Sequence, residues 1–530
     1  MKRKRPPNSS STHVIEIPDV GLEDVYGSTR PAVLLTRRPL NAVGEDTRTV
    51  LDGPDSLRSL FSFEQWMMTR MFHPSVEGAA ARKWRFERNV EAGVVLHTDH
   101  SGLGTAEIAL TRIIREANDQ GYAHGASVKC HRACDIKMAA QKMLINSGED
   151  GPEHVHSNIL DSLKPELRIR LIAMEPPPGR THTRKLTAHK AIHQVMMQAF
   201  KDGTMFNSQA SAFCLKHRQL CPGFLCPKDK CSMVVSGTAC TAWSKLGKTF
   251  DGSKQEGVRR TNHQSVLPWF VFVFYVLTFQ PELAIHEITE FHPEEIMQFH
   301  FGTDYEIISL HVSPWTLGFP SARPRRYRVL ANRKKGIFVG TPDDFFALLE
   351  CKPAVAASDL CCASDEMVMQ AFLKAAKFRK KIPGEGVPSA WEDVLTPAQK
   401  ARVDAQRAAC VGTYLDGDFM VDISASEGFG LPAKWTPTLV QNSEIWVECR
   451  KRIALPLEHF VFQGFPLLPG VSTLATEVPW KPQLEDLTDA EMKSLAGNAM
   501  HLGVVGAVQL FALCSYQRNV EEDTDVIVLS

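Results

Sequence analysis

From Gly93 onward one local pattern recurs: a short β-prone run, a tight turn, then a stretch with helical spacing. Val94-Val95-Leu96-His97 leads through the turn Ser101-Gly102-Leu103-Gly104 into a helical pattern from Ala106 to Glu116. A second unit follows, with Ser127-Val128-Lys129-Cys130 as strand, Asp135 soon after it and MAAQKMLI as helix, and His154-Val155-His156 reads as a third strand. Met233-Val234-Val235 and Leu283-Ala284-Ile285-His286 are further short buried runs. Strands that alternate with helices build a mostly parallel sheet, and such sheets bind ligands beyond the carboxyl ends of their strands. The fold expected is therefore α/β.

Composition removes several alternatives. The chain has 530 residues, 44% of them hydrophobic and 23% charged, with a formal net charge of +0. That balance fits a globular chain with a sizeable core and excludes polycation behaviour, so any nucleic acid must be held by local basic patches. Thirteen cysteines, an odd number, without an apolar leader behind the basic opening, point to thiols in a reducing compartment. Leu267 to Phe279 (LPWFVFVFYVLTF) falls short of the roughly 20 apolar residues that span a bilayer and reads as a buried core element. No membrane partner is expected.

The chain divides by composition. Residues 1–60 open with Lys2, Arg3, Lys4 and Arg5 beside Pro and Ser, as a mobile basic tail would, and the cluster is either a nuclear address or a solvated charge run. Residues 61–89 form a preamble in which Phe63, Trp66, Phe72, Trp84 and Phe86 recur among charges. Globular α/β patterning occupies 90–335. It alters over 336–448, where Pro/Gly breaks and the basic run Lys377, Arg379, Lys380 and Lys381 suggest an inserted domain, and resumes over 449–530.

Several residues carry chemistry, each with a plainer reading beside it. Gly102 and Gly104 either meet the conformational demand of the turn or let backbone approach a nucleotide-like cofactor. Asp135, one α/β unit later, either accepts from ribose hydroxyls or opens a helix. Cys240, between a strand and Trp243-Ser244-Lys245-Leu246-Gly247, is either an activated thiolate or a small buried hydrophobe. Glu287 follows a buried run, as an acid at a strand's carboxyl end or as a helix cap. Arg323, Arg325, Arg326 and Arg328 alternate along SARPRRYRVL, suited to bidentate anion binding or to a solvated edge. Cys214, His217, Cys221, Cys226 and Cys231 crowd FCLKHRQLCPGFLCPKDKC and offer ligands for a structural zinc, although no Cys-x-x-Cys pair is present.

The order of these segments resembles the cytosine-5 DNA methyltransferases. DHSGLGTAE resembles their S-adenosylmethionine loop, with Ser101, Gly102, Leu103 and Gly104; SGTACTAWSKLG resembles the Pro-Cys-Gln loop, placing the nucleophile at Cys240. HEITEF resembles Glu-Asn-Val, placing the base-binding acid at Glu287. WTLGFPSARPRRYRV is similar to Gly-Val-Pro-Gln-x-Arg-x-Arg, with Gly318, Pro320, Arg323 and Arg325. RIALPLEHFVFQGFP resembles the ninth motif through Arg452, Glu458, Gln463, Gly464 and Pro466, and LAGNAMHLGVVGAV resembles the closing motif through Gly497 and Asn498.

The resemblance spans about Val94 to Leu513. It implies a Rossmann-like methyltransferase sheet with helices on both faces, an inserted target-recognition domain, S-adenosylmethionine as cofactor, DNA as partner and a nuclear site of action. Asp135, Asn158 (where the family has Asp) and Asn498 would join the cofactor site. Lys245, Lys248, Arg259, Arg260 and the run from Lys377 to Lys381 would grip the DNA backbone. The sequence departs from the family at Ala239, Thr241, Ile288 and Ser321, and Thr98-Asp99-His100 replaces Asp-Leu-Phe. An RNA cytosine-5 methyltransferase and a catalytically silent DNA-binding scaffold of the same fold are the alternatives.

Overall fold

In a computed structural model, the protein is described over residues 51–176, 182–238, 266–290, 292–379, 389–425, 431–468 and 478–519. A sheet of nine strands forms its centre. In chain order these are β1 (Val94–Asp99), β2 (Val128–Cys134), β3 (His154–His156), β4 (Ala212–Cys214), β5 (Gln219–Cys221), β6 (Cys231–Gly237), β7 (Leu283–Ile288), β8 (Tyr305–Val312) and β9 (Arg325–Asn332). Their spatial order is β5-β4-β3-β2-β1-β6-β7-β9-β8. The stretch β3-β2-β1-β6-β7 is parallel throughout, and its order reverses between β1 and β6, as in a doubly wound sheet. β9 runs antiparallel to both β7 and β8, and β4 and β5 form an antiparallel hairpin at the opposite edge.

Burial on both faces explains why β1, β6 and β7 carry the unbroken apolar runs Val94-Val95-Leu96, Met233-Val234-Val235 and Leu283-Ala284-Ile285 rather than alternating ones. Met233, Val235, Leu283, Ile285 and Val329 face one core, shared with helices Phe63–Phe72, Thr105–Asp119 and Leu502–Ser515. Val234, Ala284, Ile288 and Leu330 face the other, against helix Val266–Phe279. That helix is apolar all round, which is stable only when enclosed, and Val266 and the residues from Trp269 to Val276 are buried. Helix Leu502–Ser515 is likewise buried along its whole length. Asn89 closes the far end, donating from Nδ2 to the Leu513 carbonyl at 2.7 Å and to that of Tyr516 at 2.6 Å.

Gly336–Phe338 pairs with Tyr516–Arg518, and Phe345, Leu349, Leu360 and Cys361 lie in the first core. A separate small core gathers Leu395, Val403, Phe419, Val421 and Trp446. Leu51–Asp52 pairs in parallel with Cys351–Lys352.

Candidate active site

The glycine loop lies where β1 ends. His100, Gly102 and Gly104 all take positive φ (55°, 56° and 74°), so the chain turns sharply into the helix that begins at Thr105. A Cβ added to Gly102 would meet nothing within 4 Å, so glycine serves conformation there and the space above it stays open. Asp135, just past β2, braces the loop: its Oδ2 accepts from the Gly102 amide at 2.9 Å and its Oδ1 from the Lys137 amide at 2.8 Å. Ser101 Oγ accepts from the Cys134 amide at 3.0 Å. Beside Asp135, Ile136 and Met138 are exposed.

The altered start of this loop has a structural account. Asp99 pairs with buried Arg132, whose guanidinium also lies 4.7 Å from the Tyr275 ring centroid. Thr98 points the opposite way, as strand alternation requires, toward Ser101 Oγ at 2.6 Å and toward Glu107 Oε1. Glu107, on the first turn of the following helix, thus brings a carboxyl group into contact with Thr98. Burial pushes that carboxyl up to about 7, opposed by the Thr98 hydrogen bond.

The second part of the site is at the ends of β6 and β7. Glu287 is opposite Gly237 on one side and Tyr327 on the other. Its carboxylate is nearly buried and ion-paired with Arg325 (Nε to Oε1, 3.1 Å). A Cβ at Gly237 would lie 3.3 Å from Glu287 Oε2, 3.3 Å from Met500 Cε and 3.7 Å from the His100 carbonyl oxygen. The acid, the glycine loop and the segment after Asn498 therefore meet around one glycine. Next to it, Thr238 Oγ1 is 2.7 Å from His286 Nε2, and burial, reinforced by Arg328 and His100, holds that imidazole well below its usual range. Burial lowers His100 as well, with Asp135 pulling the other way.

Other expected residues lie elsewhere or are otherwise engaged. Arg323 donates to the carbonyls of Leu439 (3.2 Å) and Gly497 (3.3 Å), tying its own segment to two others. Asn158 caps a short 3-10 turn through its side-chain oxygen, which accepts from the Leu160 amide at 3.0 Å. Asn498 is exposed; its Oδ1 accepts from Gln441 Nε2 at 3.2 Å. Arg326 and Arg328 pair with Glu294 rather than with each other's neighbours. Arg452 and Glu458 form a buried two-point pair at 2.6 and 2.7 Å.

Cys240, with Ala239, Thr241, Lys245, Lys248, Arg259 and Arg260, lies outside the described residues, as do Lys380 and Lys381. Thr238 is the last described residue before that segment. Lys377 is exposed on helix Asp365–Arg379.

The expected metal ligands separate into two groups. Cys214, His217 and Cys221 converge on the β4–β5 hairpin, and the fourth group they meet is His154 of β3. Cys226 and Cys231 are not part of this cluster and correct the expectation: Cys226 Sγ lies 3.8 Å from both Glu282 Oε2 and Lys335 Nζ, and Cys231 is buried at the start of β6. Sequence reading also missed His100, Gly237, Met500 and Glu107. Only Gly237 left a signal, a glycine that ends a buried strand.

The sequence matches no family model and no curated protein. Among solved structures the chain is similar to the Dnmt2 methyltransferase of S. pombe, with 13% identity, coverage of 79% of this chain and 98% of that one, and a TM-score of 0.37. It is similar also to the methyltransferase EhMeth of Entamoeba histolytica (12% identity, 79% and 98% coverage, TM-score 0.36). A third is a mutant DNMT2 of Spodoptera frugiperda (11% identity, 79% and 99% coverage, TM-score 0.32).

Proposed function

We propose that this chain is an S-adenosylmethionine-dependent methyltransferase that acts on C5 of cytosine in DNA. The observation that carries the proposal is the meeting, around Gly237, of a buried carboxylate held by Arg325 and the backbone of a glycine loop. The segment with Cys240 begins two residues beyond Gly237.

The residues present fit such a cofactor. The space over Gly102 is open, and Asp135 stands at the rim with its carboxylate already oriented by two backbone amides. Ser101, Gly102, Leu103, Gly104 and Asp135 would hold it, whereas the Asn158 and Asn498 side chains are engaged with Leu160 and Gln441. Bound there, S-adenosylmethionine supplies an electrophilic methyl group.

The chain's own residues would do the rest. Cytosine C5 is a poor nucleophile, so Cys240 as thiolate adds to C6 and moves electron density onto C5. Glu287 accepts a hydrogen bond from the exocyclic amine, and a proton shared between its carboxyl group and the ring N3 stabilises the charge that develops; Arg325 keeps the carboxyl group in place. Once C5 is methylated, loss of its proton restores the ring double bond and expels Cys240. A duplex hides C6, so the base must leave the stack at a cost of a few kcal/mol, offset by backbone contacts from Lys245, Lys248, Arg259, Arg260 and the Lys377 to Lys381 run. Nuclear action is part of the proposal and rests on Lys2 to Arg5.

The test is transfer of labelled methyl to duplex DNA and, in parallel, to tRNA, with wild type and Cys240→Ser. Methylated DNA, and a covalent complex with 5-fluorocytosine DNA that Cys240→Ser does not form, support the proposal. Methylation of tRNA alone reassigns the substrate. Binding of DNA without either reaction makes the chain a scaffold.

A further inference from the structure

We propose that His154, Cys214, His217 and Cys221 bind one zinc ion that fastens the β4–β5 hairpin to the sheet, a structural site separate from the chemistry at Glu287. The four ligand atoms lie within 4.8 Å of one another. His217 Nδ1 is their hub, 3.1 Å from His154 Nδ1, 3.6 Å from Cys214 Sγ and 3.5 Å from Cys221 Sγ. A tetrahedron with Zn–N and Zn–S bonds of ordinary length has edges of about 3.3–3.8 Å. The two nitrogen–sulfur separations fall inside that range and the nitrogen–nitrogen one just below it. Two imidazole nitrogens and two sulfurs are also the donor set of many structural zinc sites.

The local structure supplies both a reason for the ion and a setting for it. β4 and β5 have three residues each, and β4 is joined to β3 through a single register pair, His156 with Cys214. Phe213 and Leu220 are exposed, 46% and 73%, so the hairpin buries little apolar surface of its own. A ribbon this small is marginal without a further constraint. Cys214 and Cys221 are free thiols, so no disulfide supplies it. Behind His154, Glu153 Oε2 lies 3.9 Å from the far ring nitrogen, and it is held by Lys129 Nζ at 2.9 Å and His131 Nδ1 at 3.0 Å. A carboxylate on the far side of a ligating imidazole is the usual outer partner of a zinc site.

The test uses the full chain, purified without chelator and offered zinc, with metal measured per chain by mass spectrometry. One zinc per chain is expected. Cys214→Ser, Cys221→Ser and His154→Ala should each remove it, Cys226→Ser and Cys231→Ser should keep it, and Glu153→Gln should weaken zinc binding about 10–100-fold. Cobalt substitution of the wild type gives a second readout if the ligand variants fail to fold: a tetrahedral spectrum with charge transfer from two thiolates is expected. A folded chain that takes up no zinc overturns the proposal. So does zinc retained by His154→Ala but lost in Cys226→Ser or Cys231→Ser, or a cobalt spectrum with three or more thiolates. Because none of these readouts involves methyl transfer, failure here leaves the proposed function untouched.

Discussion

Replacing Glu107 by glutamine should flatten the pH dependence of stability between about pH 4.5 and 7. Glu107 is 3% exposed, its Oε1 accepts from Thr98, and its Oε2 has no hydrogen-bond partner among the described residues. Burial raises the folded-state carboxyl to about 7 from an ordinary value of 4.5. Between these values the native chain keeps a proton that the unfolded chain has lost. Stability therefore falls as pH rises, by about 1.4 kcal/mol per unit. Below 4.5 both states are protonated and no penalty exists; above about 7 it is complete, at about 3 kcal/mol. Glutamine removes the titration and keeps a neutral group of the same shape. The assay is urea unfolding of wild type and Glu107→Gln at half-unit steps from pH 4.5 to 8, with the difference in unfolding free energy plotted against pH. Other titrating groups, such as Glu175, cancel in that difference. Glu107→Gln should gain about 3 kcal/mol on wild type across the range. Parallel curves, or a wild type that gains on the variant as pH rises, would refute the assignment of a protonated buried acid beneath the glycine loop.

Other predictions concern the site and its support. Glu287→Gln should lower kcat/KM for methyl transfer by about 10²–10³ while the chain stays folded, since the partly exposed Arg325 still has the Pro324 carbonyl at 2.8 Å; an unchanged rate would remove Glu287 from the reaction. Gly237→Val should abolish turnover and leave the circular dichroism spectrum intact, because even the first side-chain carbon would stand 3.3 Å from Glu287 Oε2 and Met500 Cε. Glu458→Gln should cost about 3–5 kcal/mol in urea unfolding, since it leaves the buried Arg452 guanidinium without its counter-charge; a loss below about 1 kcal/mol would mean that the pair is not sequestered from water.

Several elements were legible because their signals are local. MAAQKMLI is the helix Met138–Ile145, and the β-prone runs at Val94, Val128, His154, Met233 and Leu283 are strands of the central sheet. The length and apolar composition of LPWFVFVFYVLTF also showed that it is buried; its state, a helix from Val266 to Phe279, was not readable from a run without apolar/polar periodicity. The arginines show the limit more sharply. Alternation along SARPRRYRVL treats Arg323 and Arg325 alike, yet one grips two carbonyls and the other an acid, because the strand starts at Arg325 and Arg323 lies before it.

By itself the sequence determined that strands and helices alternate, that a glycine turn and an acid stand at strand ends, and that cysteine and histidine crowd one short stretch. Backbone propensity and side-chain period encode these features within a few residues, so no distant contact is needed to read them. Only tertiary structure decided which ends become neighbours. Sheet order sets Gly237 beside Glu287 and brings His100 and Met500 to the same point, and strand pairing delivers His154 to a hairpin that lies well over fifty residues later. Those meetings depend on strand order and register, which distant segments fix jointly as they pack.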